Sequence, residues 1–237
     1  MKKFFFALLG FVFVSASAQT ADEVIQKYAA TMGGLEAFNK VTTAKMTGTL
    51  TTQGQALTFT TQIINGKAMR TDVDVMGQIV NNVYNNGKGW KINPFAGATT
   101  ATEATGAELI GFKTQASLAN NLMDYKNRGH QVELLGQEDV DGVKIFKIKL
   151  TGKEDARITT YFINTISNLL VKSITKREIA GTEYDAETFY SDLKEMNGLK
   201  FCMHFTQKID GKAFQEVTYE KIELNIGVDE KIFGMPK

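Results

Sequence analysis

The chain has 237 residues, with 27 Lys and Arg against 26 Asp and Glu, for a formal charge of +1. A near-neutral chain without a block of basic residues argues against nucleic acid as a partner. A single cysteine excludes an internal disulfide, and with two histidines it leaves few soft ligands for a metal; the fold must rest on a hydrophobic core, and no cofactor is expected.

Residues 1–18 read as a secretory signal. Met1-Lys2-Lys3 is a basic start, Phe4 to Val14 is apolar, and Ala16-Ser17-Ala18 is a small-x-small cleavage site. The apolar run is too short to span a membrane, and no later run reaches that length. Gln19 follows the cut, so no thiol is offered for lipidation. The expectation is an exported, soluble protein with no stable membrane anchor, periplasmic where the cell has two membranes.

Thr20 to Glu23 has the form of a capping box, opening a helix with Val24, Ile25, Tyr28 and Met32 as its buried stripe. Gly33-Gly34 ends it, and a short helix follows over 35–39. From Thr42 the apolar period becomes two. Met46 and Leu50, then Leu57, Phe59 and Ile63, alternate with Thr and Gln around a Gln53-Gly54 turn. Val73 and Val75, the run 79–84 and the run 88–93 continue the pattern through Gly77 and Asn86-Gly87. The sheet is then expected to stop. Residues 96–106 are a mobile stretch of Ala, Thr and Gly, and 108–126 reads as one helix with Leu109, Phe112, Ala116, Ala119 and Met123 on a stripe widened by Leu118 and Leu122. Strands resume at Gln131 and run to Leu224, with Asp141-Gly142, Asn197-Gly198 and Asp210-Gly211 as hairpin turns. Residues 229–233 read as a last turn of helix.

About a dozen strands with two prolines and 21 glycines point to a mainly β (α+β) chain: a single curled antiparallel sheet. Residues 19–237 carry no Pro/Ser linker and read as one domain, with 96–127 as a lid or plug insertion. So many strands curl or close rather than stay flat, and the concavity must then be filled by a helix, by side chains or by a ligand. The inward candidates are Leu57, Phe59, Ile63, Val73, Val75, Trp90, Ile92, Leu109, Phe112, Leu118 and Leu122. Ordinary core packing is the leading explanation for each of them, and alternation alone does not say which face is concave.

Gly66-Lys67-Ala68-Met69-Arg70, then Gly77-Gln78, then Asn86-Gly87-Lys88-Gly89-Trp90-Lys91-Ile92-Asn93-Pro94-Phe95 stand in a distinctive order, and the chain closes on Asp229-Glu230-Lys231-Ile232-Phe233-Gly234-Met235-Pro236. These segments resemble the LolA-like lipoprotein carriers, including the outer-membrane lipoprotein-sorting proteins of Bacteroidetes-type bacteria. The resemblance covers essentially all of residues 19–237. It implies an incomplete β-barrel with helices covering the opening, around an apolar cavity for the acyl chains of lipoproteins or other lipids. It implies sorting components of the inner and outer membranes as partners. It also places Trp90 and Phe95 at a strand end and at the entrance to the lid, so Phe95 joins the candidates. Family carriers tend to have a basic residue and a proline before the first large hairpin; Ile63-Ile64-Asn65-Gly66 has neither.

Catalytic signals are sparse. Cys202 and His204 lie two apart on one strand, a spacing that seldom orients a nucleophile and its base, and Cys202 reads as a small buried hydrophobe. Asp72 and Asp74 share a strand face and read as solvated. No nucleophile-elbow, zinc-protease or phosphate-loop pattern is present. The leading expectation is a non-catalytic envelope carrier. The alternatives are an interaction module whose sheet edges pair with another envelope protein and, behind it, a hydrolase using carboxylates or Cys202.

Overall fold

Thr20 caps the first helix as its sequence dictates. Its hydroxyl accepts from the Glu23 N–H at 3.2 Å, and the Glu23 carboxylate accepts from the Thr20 N–H at 2.9 Å. The resulting helix, α1 (Ala21–Met32), buries Val24, Ile25, Tyr28 and Met32, and Gly33 ends it at φ 112°. A short α2 (Leu35–Lys40) adds Phe38 to the same core. The computed structural model describes residues 19–179 and 181–236; the signal-like segment 1–18 lies outside them.

Thirteen strands complete the chain: β1 (Thr43–Thr52), β2 (Gln55–Ile64), β3 (Ala68–Val75), β4 (Gln78–Asn85), β5 (Lys88–Asn93), β6 (Ala98–Ala104), β7 (Gln131–Val140), β8 (Val143–Thr151), β9 (Ile158–Asn164), β10 (Leu170–Ile179), β11 (Thr182–Met196), β12 (Leu199–Ile209) and β13 (Lys212–Leu224). They form one antiparallel sheet in the order β6-β5-β4-β3-β2-β1-β13-β12-β11-β10-β9-β8-β7. The sheet curls but does not close, leaving β6 and β7 as edges. Both residues of Gln53-Gly54, Asn86-Gly87, Asp141-Gly142, Asn197-Gly198 and Asp210-Gly211 have positive φ, the geometry that two-residue hairpins require.

Two sequence expectations are corrected. The sheet does not stop at Asn93: after a 3-10 turn (Pro94–Ala96), β6 pairs with β5. The segment looks poor in hydrophobic residues because an edge strand has little to bury, while its threonines suit extended backbone. Nor is 108–126 one helix. It is α3 (Gly106–Gln115), an irregular stretch, and a single turn, α4 (Tyr125–Arg128). From the Ala116 carbonyl on, the helical ladder is broken by bonds to groups outside the helix. The Ala116 carbonyl accepts from Gly66 N–H at 2.8 Å, and Leu118 N–H donates to Asn65 Oδ1 at 3.0 Å. Asn120 Oδ1 accepts from Met123 N–H at 2.8 Å.

The register separates the faces. Thr61 opposes Met46 and Thr71, Ile63 opposes Ala44 and Met69, and Phe59 opposes Gly48 and Val73; these point to the concave side, where the helices sit. The convex side carries two other features. Over β3–β5 the C-terminal segment lies as a strap: Phe233 packs with Ala68, Val83 and Trp90, Arg70 donates to the Ile232 carbonyl at 3.0 Å, and Lys67 pairs with Glu230 at 3.0 Å. Over β8–β12 runs a ladder of Lys147, Phe162, Lys172, Phe189 and Lys208, with ammonium to ring-centre distances of 4.7–5.7 Å. The lysine stems cover Phe162, which is 6% exposed although it points away from the helices.

Candidate ligand cavity

The concave wall of the cavity is built from strand residues that share one side of the sheet, in β13 across a bulge opposite Thr47 and Gly48. Met46 comes from β1, Thr61 and Ile63 from β2, Tyr219 and Ile222 from β13, Phe201 and Phe205 from β12, and Tyr190 and Leu193 from β11. Four aromatic rings line this wall edge to face: Phe59 to Tyr219 at 5.5 Å, Tyr219 to Phe205 at 5.8 Å, Phe205 to Tyr190 at 5.5 Å. Gly48 makes the row possible. It stands on β1 between Phe59 and Tyr219, and a Cβ there would lie 2.1 Å from the Thr218 carbonyl oxygen and 3.0 Å from the Phe59 ring. A missing side chain on β1 lets the rings of β2 and β13 meet.

The roof comes from Tyr28 and Met32 of α1, Phe38 of α2, and Ser117, Leu118, Asn120 and Met123 of the irregular stretch. Between wall and roof is a cavity of about 270 Å³. Its lining is mostly hydrocarbon; Lys200 is the one charged side chain on it. The polar groups that border it are largely engaged. Asn120 donates to the Tyr28 hydroxyl at 2.7 Å, and the Tyr190 hydroxyl is 2.8 Å from Ser173 Oγ. Burial pushes the Tyr190 and Tyr219 phenols up to about 12 and raises those of Tyr28 and Tyr161 further.

Asn65 holds the roof to the wall. From the β2–β3 turn its amide donates to the carbonyls of Phe38 (2.9 Å) and Val41 (2.8 Å), while its oxygen accepts from Leu118 N–H (3.0 Å). One side chain ties the end of α2, the turn and the roof segment. Sequence reasoning passed over it because Asn-Gly reads simply as a turn.

The predicted residues divide into five groups. Ile63 and Leu118 line the cavity. Leu57, Phe59, Val73 and Val75 are on the concave face: Phe59 is buried, and the others are half-buried toward the hairpin end. Leu109 and Phe112 of α3 pack on Met69, Tyr84 and Ala104 beside the cavity, and Leu122 is fully buried in the core next to it. Trp90 and Ile92 face the other way, into the strap of Phe233; Trp90 Nε1 donates to the Phe233 carbonyl at 3.4 Å. Phe95 is 55% exposed on the turn after β5. The face assignment failed for Trp90 and Ile92 because an apolar strap on the convex side makes both faces of β5 look like core.

Cys202 and His204 do not pair. Cys202 Sγ sits 3.0 Å from the Ser191 carbonyl, and burial raises its pKa. The His204 ring bonds to Thr218 and Thr206. Asp72 is not simply solvated: it accepts from Arg70 Nε at 2.9 Å and from Asn81, bracing the strap. Asp74 caps the Gly77 turn at 2.8 Å.

A second, polar pocket of about 450 Å³ lies beyond the roof segment, among α3, α4 and the β8–β9 loop. Among the described residues no helix is long and apolar enough to cross a membrane.

No protein-family model matches the sequence, and no curated protein matches it. Solved structures do. A LolA superfamily protein from Nitrosomonas europaea superposes with a TM-score of 0.64 at 12% identity, over 92% of this chain and 98% of that one. A DUF1329 family protein from Desulfovibrio piger gives 0.63 at 11%, over 92% and 98%. A structure from Vibrio parahaemolyticus described as an outer membrane lipoprotein-sorting protein domain gives 0.57 at 10%, over 90% and 97%. At such low identity what is shared is the architecture, along nearly the full length: this chain has the fold of these three structures.

Proposed function

We propose that this protein is a non-catalytic carrier that holds the acyl chains of a lipoprotein or lipid in the apolar cavity and moves them across the periplasm toward the outer membrane. The observation that carries the reading is the cavity itself, a hydrocarbon-lined space of about 270 Å³ between a curled sheet and a roof tied on by hydrogen bonds rather than by continuous helix. Each methylene taken from water into it contributes roughly 0.8 kcal/mol, so affinity follows chain length. The cargo enters by displacing the 116–124 segment. The signal-like residues 1–18 and the lipoprotein-sorting neighbour agree with this setting.

The test is to express the chain in the envelope of a two-membrane bacterium, purify it without detergent and analyse its organic extract by mass spectrometry. Acyl lipid in near-stoichiometric amount is expected, and Leu118→Asp, still folded by circular dichroism, should lose most of it. A folded protein with no lipid in its extract and no uptake of a fluorescent acyl probe overturns the reading.

A further inference from the structure

The polar pocket and the apolar cavity share a wall. Ser117 borders both; Gln115 and Asn120 line the apolar side, and Thr114 and Asn121 the polar side. Whatever displaces this strip to enter the cavity also opens onto the pocket.

The pocket's charge is unbalanced in one direction. Lys113, Arg128, Lys153 and Arg157 border it, against Asp124, Glu154 and Asp155. Each carboxylate already has a partner: Glu154 pairs with Lys113, Asp124 with Arg128 at 3.1 Å, and Asp155 with Arg157 at 3.3 Å. Lys153 has no carboxylate partner among the described residues. Its backbone N–H donates to His130 Nδ1 at 3.1 Å, which fixes the tautomer: Nδ1 is the acceptor, so the proton of the neutral ring is on Nε2. That Nε2–H is buried and has no hydrogen-bond partner in the protein. Burial, together with Arg128, lowers the His130 pKa, which keeps the ring a neutral donor at pH 7. A buried donor without an acceptor is unfavourable, and the exposed Lys153 ammonium on the same pocket has no carboxylate of its own. One oxyanion entering the pocket would satisfy the first and pair with the second.

We propose that this pocket receives the phosphate-bearing headgroup of the lipid whose chains occupy the apolar cavity, with Lys153, Arg157 and His130 Nε2–H as its donors. The inference rests on the acyl-site reading and narrows its cargo to amphiphiles with an anionic head. A phosphate oxygen accepts from both a cation and a neutral N–H, and the Arg157 fork can bridge Asp155 and the phosphate.

Calorimetry on the exported chain with short-chain probes below their micelle concentrations tests it. Dioctanoyl phosphatidic acid should bind at least tenfold more tightly than dioctanoylglycerol. Lys153→Gln and Arg157→Gln should each remove most of that preference while leaving dioctanoylglycerol binding within about twofold. Equal binding of the two lipids by the unmodified protein overturns the headgroup site and leaves the acyl site standing. Inorganic phosphate binding as tightly as phosphatidic acid overturns the link between pocket and cavity, and marks a free-phosphate site. If neither lipid binds, the acyl-site reading fails and this inference with it.

Discussion

Asn65 offers its amide to two carbonyls and its oxygen to one N–H, all in partly buried surroundings. Replacing it with alanine strands the Val41 carbonyl and the Leu118 N–H, while the Phe38 carbonyl keeps the Val41 N–H; each stranded group that water cannot reach costs about 1–3 kcal/mol. Asn65→Ala is therefore expected to lower the unfolding free energy by about 2–4 kcal/mol and to speed uptake and release of an acyl probe, read by stopped-flow fluorescence. Unchanged exchange rates in a destabilised protein would mean that the roof does not gate the cavity. Gly48 is the complementary case. Gly48→Val puts a side chain against the Thr218 carbonyl and the Phe59 ring and should cost about 2–4 kcal/mol through strain and lost aromatic contact, measurable by urea unfolding. At this scale the common face of Ile63, Phe59 and Val73 was legible in strict alternation, but not which side of the sheet is concave. The residues that decide the site's behaviour were not. Asn65 and Gly48 matter through partners far away in sequence, which local periodicity does not record. The motifs behind the family resemblance, Trp90, Arg70 and the closing 229–236 segment, meet on the convex strap. They report how the sheet is held rather than what it holds.

Among elements, α3 and the stretch after it carry the most consequence. The apolar stripe over 108–126 is real, for Phe112, Ala116, Ala119, Leu122 and Met123 are all buried, but helical periodicity does not require a helix. External hydrogen bonds from the β2–β3 turn intercept the backbone at Ala116 and Leu118, and the Asn120 side chain then caps the turn at Met123. Such competition is invisible to a one-dimensional pattern. The stripe nevertheless says correctly that the segment packs inward. α3 is seated by close approach to β5: a Cβ on Gly89 would stand 2.9 Å from Leu109 Cδ1 and 3.2 Å from Phe112 Cδ2. Gly89→Ala should therefore shift α3 outward, at about 1–3 kcal/mol of stability. It should also raise amide exchange over 106–115 ahead of the rest of the chain, which hydrogen-exchange mass spectrometry resolves. Uniform exchange across the molecule would show that α3 is not held by that contact. β6 was missed for the opposite reason, since an edge strand faces solvent and needs little apolar surface.

For the whole molecule, stability and the buried phenols are linked. Tyr190 and Tyr219 are raised by burial from an ordinary value of 10.0 to about 12, and Tyr28 and Tyr161 are raised further. Below pH 10 the folded and unfolded chains both hold these protons, and the stabilisation is fully present. Between pH 10 and about 12 the unfolded chain loses them while the native chain keeps them, so stability falls as pH rises through that window. Alkaline titration is expected to release these phenolic protons cooperatively with loss of the circular dichroism signal. A gradual, independent rise of tyrosinate absorbance in the still-folded protein would contradict their placement.

The strand order carries one more implication. Every neighbouring pair in the sheet is consecutive along the chain except β1 with β13, so two meanders, one from each half, are stitched along a single seam between the first strand and the last. Local hairpins form quickly, whereas a seam between strands so distant along the chain waits on loop closure. Until it zips, the wall that carries Met46 and Ile63 stays apart from the wall that carries Tyr219 and Phe205. The container does not exist in any partly synthesised chain: its two sides come together only when the final strand docks.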